Sequence, residues 1–365
     1  MEKDKIDSLE LSSIIYGILR TGSIGVAINI MIKVGKQNAW IGVILGFILG
    51  FIPYYLYRYL LNYNKNENIV DLYNKIFGKK LGFIINIISI IVIFFMGCLV
   101  FWNVSDFIFS QFLNRTNPIF ISIIFVIPIM YILLKGLNII GRTNLLLFYI
   151  NILSIVFIVI GLFSSIKIEN FQPFLNTGVP SILKATFIYI TYDLCPIFLL
   201  LIIPKKNIKN SHKLHKRGLT FFCLANLALF IGVGFTIGVL GSDLANLYAY
   251  PEYHALEAIN LFGYIRKFEN ILSISWIFSF YMLIVMSLYY VNTSINQMFK
   301  IKNIKISNII IILSSILCMI IAYFLFNNNT TANTYLENIF PYIMFSVLFV
   351  IPFITFIISK FKKTA

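Results

Sequence analysis

Ten stretches of the chain are each long and apolar enough to cross a bilayer, and no other feature narrows the possible folds as far. A spanning helix needs roughly 20 mostly apolar residues. The stretches that pass fall at about 9–33, 38–61, 82–113, 118–134, 140–163, 181–203, 218–241, 268–299, 306–326 and 338–359. Inside lipid every backbone N–H and C=O must find its partner within the protein, which leaves helices or a closed barrel. Barrel strands alternate apolar and polar residues over about ten positions, whereas Ile84 to Val100 and Ile309 to Leu317 are continuously apolar. The expectation is therefore an all-α polytopic membrane protein of about ten transmembrane helices. It forms a single domain over 1–365, with a first half at about 9–163 and a second at about 181–359. Composition agrees: 12% of residues are charged and 59% apolar, against about 25% charged in an ordinary soluble domain.

The net charge of +15 is a matter of topology. With the N-terminus in the cytoplasm, the outer loops hold Lys33, Lys36, Arg115, Lys167, Arg266 and Lys267, and the inner loops hold nearly all the other basic residues, most densely from Pro204 to Arg217. Short loops rich in Lys and Arg stay inside, so both termini are expected to be cytoplasmic, with an even number of spans. The basic excess then faces anionic lipid of the bilayer, and no nucleic-acid partner is expected. Cys98, Cys195, Cys223 and Cys318 sit in apolar runs without CxxC spacing, which indicates neither a disulfide framework nor a zinc site. Met1 to Leu9 is charged and lacks a small-residue cleavage pattern, so no removable signal peptide is expected. An enzyme is not expected: His212, His215 and His254 lie in loops, no nucleophile is paired with a base, and no motif implies a cofactor.

Ionisable groups near the bilayer midplane are costly and mark function by default. Arg20 lies mid-way along the first span and Asp193 mid-way along the sixth, and both spans carry helix-breaking residues at that depth. Gly22 and Gly25 permit non-helical backbone, and Pro196 removes a donor and obstructs the preceding turn. The first and sixth of ten spans are corresponding members of two five-helix halves. Interrupted helices in that relation point to an inverted repeat with a midplane site. The freed N–H groups around Thr21, Gly22, Ser23 and Gly25, with Arg20 placed to grip a carboxylate directly, would hold an anionic group, and carbonyls near Tyr192, with Asp193, an ammonium. A zwitterion of amino-acid size fits, and a structural Arg20–Asp193 ion pair without ligand is the alternative. Trp102, Asn103, Asp106, Ser273, Ser275, Tyr281, Ser287 and Asn292 are further polar or aromatic candidates, Trp102 foremost. Membrane Ser and Asn otherwise bond to their own helix or a neighbour. Lys184, near the outer end of its span, is placed to snorkel. The outer loop from Gly241 to Lys267, with Asp243, Glu252, His254, Glu257 and the pair Tyr250-Pro251, reads as a lid or a packed connector.

Tyr250-Pro251, then Lys267-Phe268-Glu269-Asn270 and Trp276-Ile277, together resemble the outer-loop and eighth-helix signature of the B subunits of bacterial spore germinant receptors. These endospore germination permeases belong to the amino acid–polyamine–organocation superfamily. The opening Lys5-Ile6-Asp7 and the boundary Pro204-Lys205-Lys206 are similar too. The resemblance implies a LeuT-like 5+5 inverted repeat with helices 1 and 6 broken, residence in the spore inner membrane, and assembly with an A subunit and a lipoprotein C subunit. It also implies recognition of a nutrient germinant, commonly an amino acid. Where the family's first break reads Gly-x-Gly and ends in Pro, this chain has Arg20-Thr21-Gly22 and Ala27, and Lys267 stands where the family has Arg. An ion-coupled amino acid permease and a structural subunit with a plugged site are the rival readings.

Overall fold

An apolar run in lipid satisfies its backbone most directly as a helix, and these runs do so. The computed structural model describes residues 5–21, 23–259, 268–325 and 329–363. Its helices are α1 Ser8–Thr21, α2 Ile28–Gly35, α3 Ala39–Tyr63, α4 Ile69–Phe77, α5 Lys79–Gln111, α6 Pro118–Lys135, α7 Leu137–Leu162, α8 Val179–Tyr189, α9 Leu214–Leu240, α10 Ser242–Ala245, α11 Pro251–Leu256, α12 Phe268–Met298, α13 Ile304–Leu325, α14 Asn329–Asn338, α15 Phe340–Phe345 and α16 Ile351–Lys363.

By length and hydropathy, nine helices among the described residues can cross a membrane, the first being Gly25–Tyr63 taken as 39 residues. At 1.5 Å per residue that helix would be about twice as long as the hydrocarbon core is thick, and the chain turns within it at Lys36, where φ is 48°. It is α2 followed by α3. With α1 and α2 as the two parts of the first span, the crossings number ten. The sixth consists of α8, a π turn at Ile190–Leu194 and a 3-10 stretch at Cys195–Ile202.

The first span starts at a capping box. Asp7 Oδ1 accepts from Leu9 N–H (2.8 Å), and Glu10 Oε2 accepts from Asp7 N–H (2.9 Å), satisfying donors the helix itself leaves open. Arg217 Nη1 donates to Asp7 Oδ1 (2.9 Å), and Ile6 and Asp7 pair in parallel with Ile208 and Lys209. The start of the first broken span is thus tied to the loop that follows the second.

The two broken spans sit at the centre of the bundle. The best apolar window of the sixth span is 89% buried, against 17% for the ninth, which faces lipid. Close packing of the sixth span depends on Gly42, Gly46 and Gly50, a stripe at i, i+4, i+8 on α3. A Cβ there would collide with Ala185, Tyr189 and Leu194 in turn. Several polar candidates of α12 are absorbed by ordinary helix bonding: Ser287 Oγ donates to Leu283 O (2.7 Å), Asn292 Nδ2 to Leu288 O (2.8 Å) and Ser273 Oγ to Asn270 O (2.9 Å). Ser275 is buried, Tyr281 O–H donates to Pro128 O (3.0 Å), and Lys184 is exposed on α8.

Candidate functional site

The first break ends at Gly25, whose φ of +73° is open to glycine and strained for other residues. A Cβ there would lie 2.9 Å from the Tyr250 ring and 3.3 Å from Asn103 Oδ1. The Gly25 N–H donates to Glu252 Oε1 of α11. Just before the break, Thr21 Oγ1 lies 2.7 Å from Gly17 O and 2.9 Å from Ser279 O, so its proton is shared between its own helix and the eighth span. Gly22 and the side chain of Ser23 lie outside the described residues, as does Lys267.

The second break contains no left-handed residue. Pro196 opens a 3-10 stretch of eight residues, Cys195–Ile202, well beyond the three or four such helices normally sustain. Just before it, two side chains tie the span to its neighbours: Tyr192 O–H donates to Leu336 O (2.7 Å) and Tyr189 O–H to Asn226 Oδ1. Asp193 and Thr191 are fully buried at this level.

Three cavities adjoin these breaks. The central one is lined by Thr21, Val26 and Ala27 of the first span, Asn103 of the third, Tyr192 of the sixth, Phe280 of the eighth and Leu336 and Phe340 beyond the ninth. It is narrow, about 50 Å³, and largely apolar. Its polar groups are the Thr21 and Tyr192 hydroxyls and the Asn103 amide, whose Oδ1 is buried without a hydrogen-bond partner.

Outside it lies a polar vestibule of about 420 Å³, lined in part by Val26, Lys33, Trp102, Asp106, Tyr250 and Glu337. Val26 lines both spaces. Tyr250 O–H donates to Asp106 Oδ2 (2.8 Å) and Asn103 O (3.2 Å), and Lys33 Nζ pairs with Glu337 Oε1 (2.7 Å) across the mouth. Pro251 occupies the first turn of α11, where its missing N–H costs nothing. The helix is anchored by aromatic packing, with the Phe107 ring centred 5.0, 5.8 and 5.8 Å from Tyr250, Tyr253 and Trp276.

The third cavity lies under α11 and is lined by Arg20, Glu252, Trp276 and apolar residues of the fifth and seventh spans. Arg20 Nη1 donates to Asn151 Oδ1 of the fifth span.

Of the residues expected at a ligand site, Thr21 and Tyr192 meet in the central cavity, Trp102 and Tyr250 line the vestibule, and Arg20 lines the third space. Asp193 lines none of the three. Glu252 was legible as one acid of an outer loop, but not as the group that meets the first break. Burial pushes its carboxyl up to about 7, opposed by backbone N–H donors including that of Gly25. A Pro at a helix start followed by an acid in an otherwise aromatic segment is the signal that marks it.

The family model described as spore germination protein matches residues 5–331. The chain is 21% identical over 310 residues to spore germination protein KB of Bacillus subtilis (strain 168), covering 83% of this chain and 81% of that one. It is 24% identical over 275 residues to spore germination protein YndE of the same organism, with 73% of each chain covered. Among solved structures, MhsT in complex with L-phenylalanine superposes with a TM-score of 0.62 at 12% identity, covering 96% of this chain and 97% of that one. A Na+-coupled sialic acid symporter, substrate-bound and outward-open, gives 0.60 at 12% identity, covering 95% and 80%. The fold is LeuT-like.

Proposed function

Because the chain belongs to the spore germination protein family of permease-like membrane proteins, we propose that it is the B-type, ligand-binding subunit of a nutrient germinant receptor. In this reading it resides in the spore inner membrane with both termini cytoplasmic, and it passes a conformational change to an A subunit and a lipoprotein C subunit. Family and fold make it a receptor or transporter rather than an enzyme.

The observation that carries the ligand reading is the central cavity. Two helix breaks supply one wall each, the remaining wall is aromatic and aliphatic, and the lining includes Asn103, whose buried Oδ1 has no donor. A buried acceptor left unmatched is costly, and a ligand ammonium would satisfy it beside the Tyr192 wall of the second break. The apolar wall of Phe280, Phe340 and Leu336 suits an uncharged side chain. A carboxylate would turn to the N–H groups of the first break, where Glu252 already holds that of Gly25. A small zwitterion such as an apolar amino acid meets these demands, and its entry from the vestibule requires Tyr250 and Pro251 to act as an outer lid. The narrowness of the cavity means that the lid and its lining must relax on binding.

The second reading, an ion-coupled amino acid permease, draws on the solved relative that is a Na+-coupled symporter. Purified protein in liposomes separates the two when a panel of amino acids is tested for saturable binding and for gradient-driven uptake. The receptor reading expects saturable binding without uptake, weakened about tenfold by Asn103→Leu, which replaces the acceptor with an apolar group of similar size. Uptake driven by a proton or sodium gradient would establish the permease instead. Absence of both, with A and C subunits also present, would remove the ligand site.

A further inference from the structure

A second polar cavity lies far from the breaks, at the end of the bundle where α3 ends and α9 begins. It is about 160 Å³ and sits between the end of α3, the basic loop after the sixth span and the first turn of α9. Tyr54, Tyr57 and Arg58 reach it together because i, i+3 and i+4 share a helix face. Lys205 and His212 come from the loop and His215 from α9.

The hydrogen bonds within it leave donors over. Tyr54 O–H donates to His215 O (3.1 Å), and an Arg58 Nη1 hydrogen points at His215 Nε2 (3.0 Å). Arginine has no acceptor to offer, so Nε2 contributes the lone pair and the ring proton resides on Nδ1. That Nδ1–H is buried without an acceptor, and so is the hydroxyl of Tyr57, a residue 3% exposed. Arg58 and Lys205 add positive charge, with Lys205 Nζ donating to Asn62 Oδ1 (2.6 Å). No carboxylate is among the lining residues. The 27-residue α9 begins here with no side-chain cap at Lys213, so the positive end of its dipole adds to the same field.

We propose that this cavity is a binding site for a phosphate group, presented either by an anionic phospholipid or by a soluble phosphate. The donors converge from three separate segments, which suits the several oxygens of a phosphate better than the two of a carboxylate. Two of them, the Tyr57 hydroxyl and the Nδ1–H of half-buried His215, are shielded polar atoms without a partner that an anion here would satisfy. Because the site joins the second span to the loop that follows the broken sixth, an anion bound here braces the segment on which the second break ends. The site stands independently of the germinant reading.

The test uses the full-length protein in nanodiscs of phosphatidylcholine, with or without phosphatidylglycerol. Lipid retained on extraction is read by native mass spectrometry, and inorganic phosphate is titrated calorimetrically in the neutral discs. Wild type is expected to retain phosphatidylglycerol selectively or to bind phosphate saturably. Arg58→Gln should weaken that binding about tenfold through loss of a charged donor, and Tyr57→Phe about threefold to fivefold through loss of one hydroxyl. Lys184→Gln, on the opposite membrane face, should change nothing. Selective lipid retention identifies the headgroup as the source, and saturable phosphate binding in neutral discs identifies the soluble anion. Should Arg58→Gln fail to fold, Tyr57→Phe keeps the ring and still reads the site. Equal binding in wild type, Tyr57→Phe and Arg58→Gln, or no selective binding of either probe by wild type, overturns the proposal.

Discussion

The two breaks interrupt helices at matching positions of the two halves, yet they are built by opposite means. The first depends on one left-handed glycine, Gly25, whose N–H is held by Glu252 and whose open face is covered by Tyr250, both from the outer loop. The second arises from its own covalent chemistry: Pro196 cannot continue the hydrogen-bond ladder, and the chain tightens into a 3-10 stretch with ordinary right-handed angles. The first break therefore takes its shape from a removable neighbour, while the second carries its shape within its own sequence. Movement of the outer loop is expected to remodel the first break and leave the second nearly unchanged.

The hardest blow to that asymmetry is Gly25→Val. A left-handed β-branched residue is strained by roughly 1–3 kcal/mol, and the new side chain meets the Tyr250 ring, which is 2.9 Å from even an ideal Cβ. Together these should destabilise the lid-closed protein by about 2–5 kcal/mol, lowering the thermal midpoint in detergent and abolishing ligand binding. An unchanged midpoint would mean that the first break does not need glycine.

Smaller, and specific to the first break, is a pH dependence. The Glu252 carboxyl titrates near 7 when buried, against 4.5 in water. Below about 4.5 it is protonated whether the lid is closed or open, and the closed state keeps its full stability. As pH rises from there to about 7, the open form ionises while the closed form still holds its proton, so closure weakens by about 1–3 kcal/mol and then levels off. Arg20 lines the same cavity, and Tyr250 and Tyr253 flank the acid on its own loop. Vestibule accessibility, measured by labelling a cysteine introduced at Val26, should increase between pH 5 and 8 in wild type and stay flat in Glu252→Gln. A slope that survives the substitution would assign the titration to another group.

The contrast also explains what could be read from sequence. The ten crossings and both breaks were legible because lipid demands long apolar runs and because Gly and Pro act on their own backbone. Thr21 and Tyr192 were legible because they border those breaks. The direction of Arg20 was not: consecutive helix residues diverge by about 100°, so Thr21 turns to the central cavity and the eighth span while Arg20 reaches Asn151 of the fifth. Glu252 was hidden for a different reason, since a loop folding back onto a helix break leaves no periodic trace. Phe280, Phe340 and Leu336 look like any other apolar residues of a membrane span, and nothing local distinguishes the cavity wall from the lipid face.

The smallest expected effect sharpens the comparison from the other side. Tyr192→Phe removes the hydroxyl that donates to Leu336 O at 2.7 Å and preserves the ring that lines the central cavity. Leu336 O is then left with one partner fewer in a buried setting, which should cost about 1 kcal/mol. Because Pro196 still sets the backbone, the second break should persist. Thermal stability should fall slightly, ligand affinity severalfold, and the pH profile of the lid should match wild type. A changed pH profile would show that the two breaks move as one unit, and the division between a loop-held first break and a self-contained second would fail.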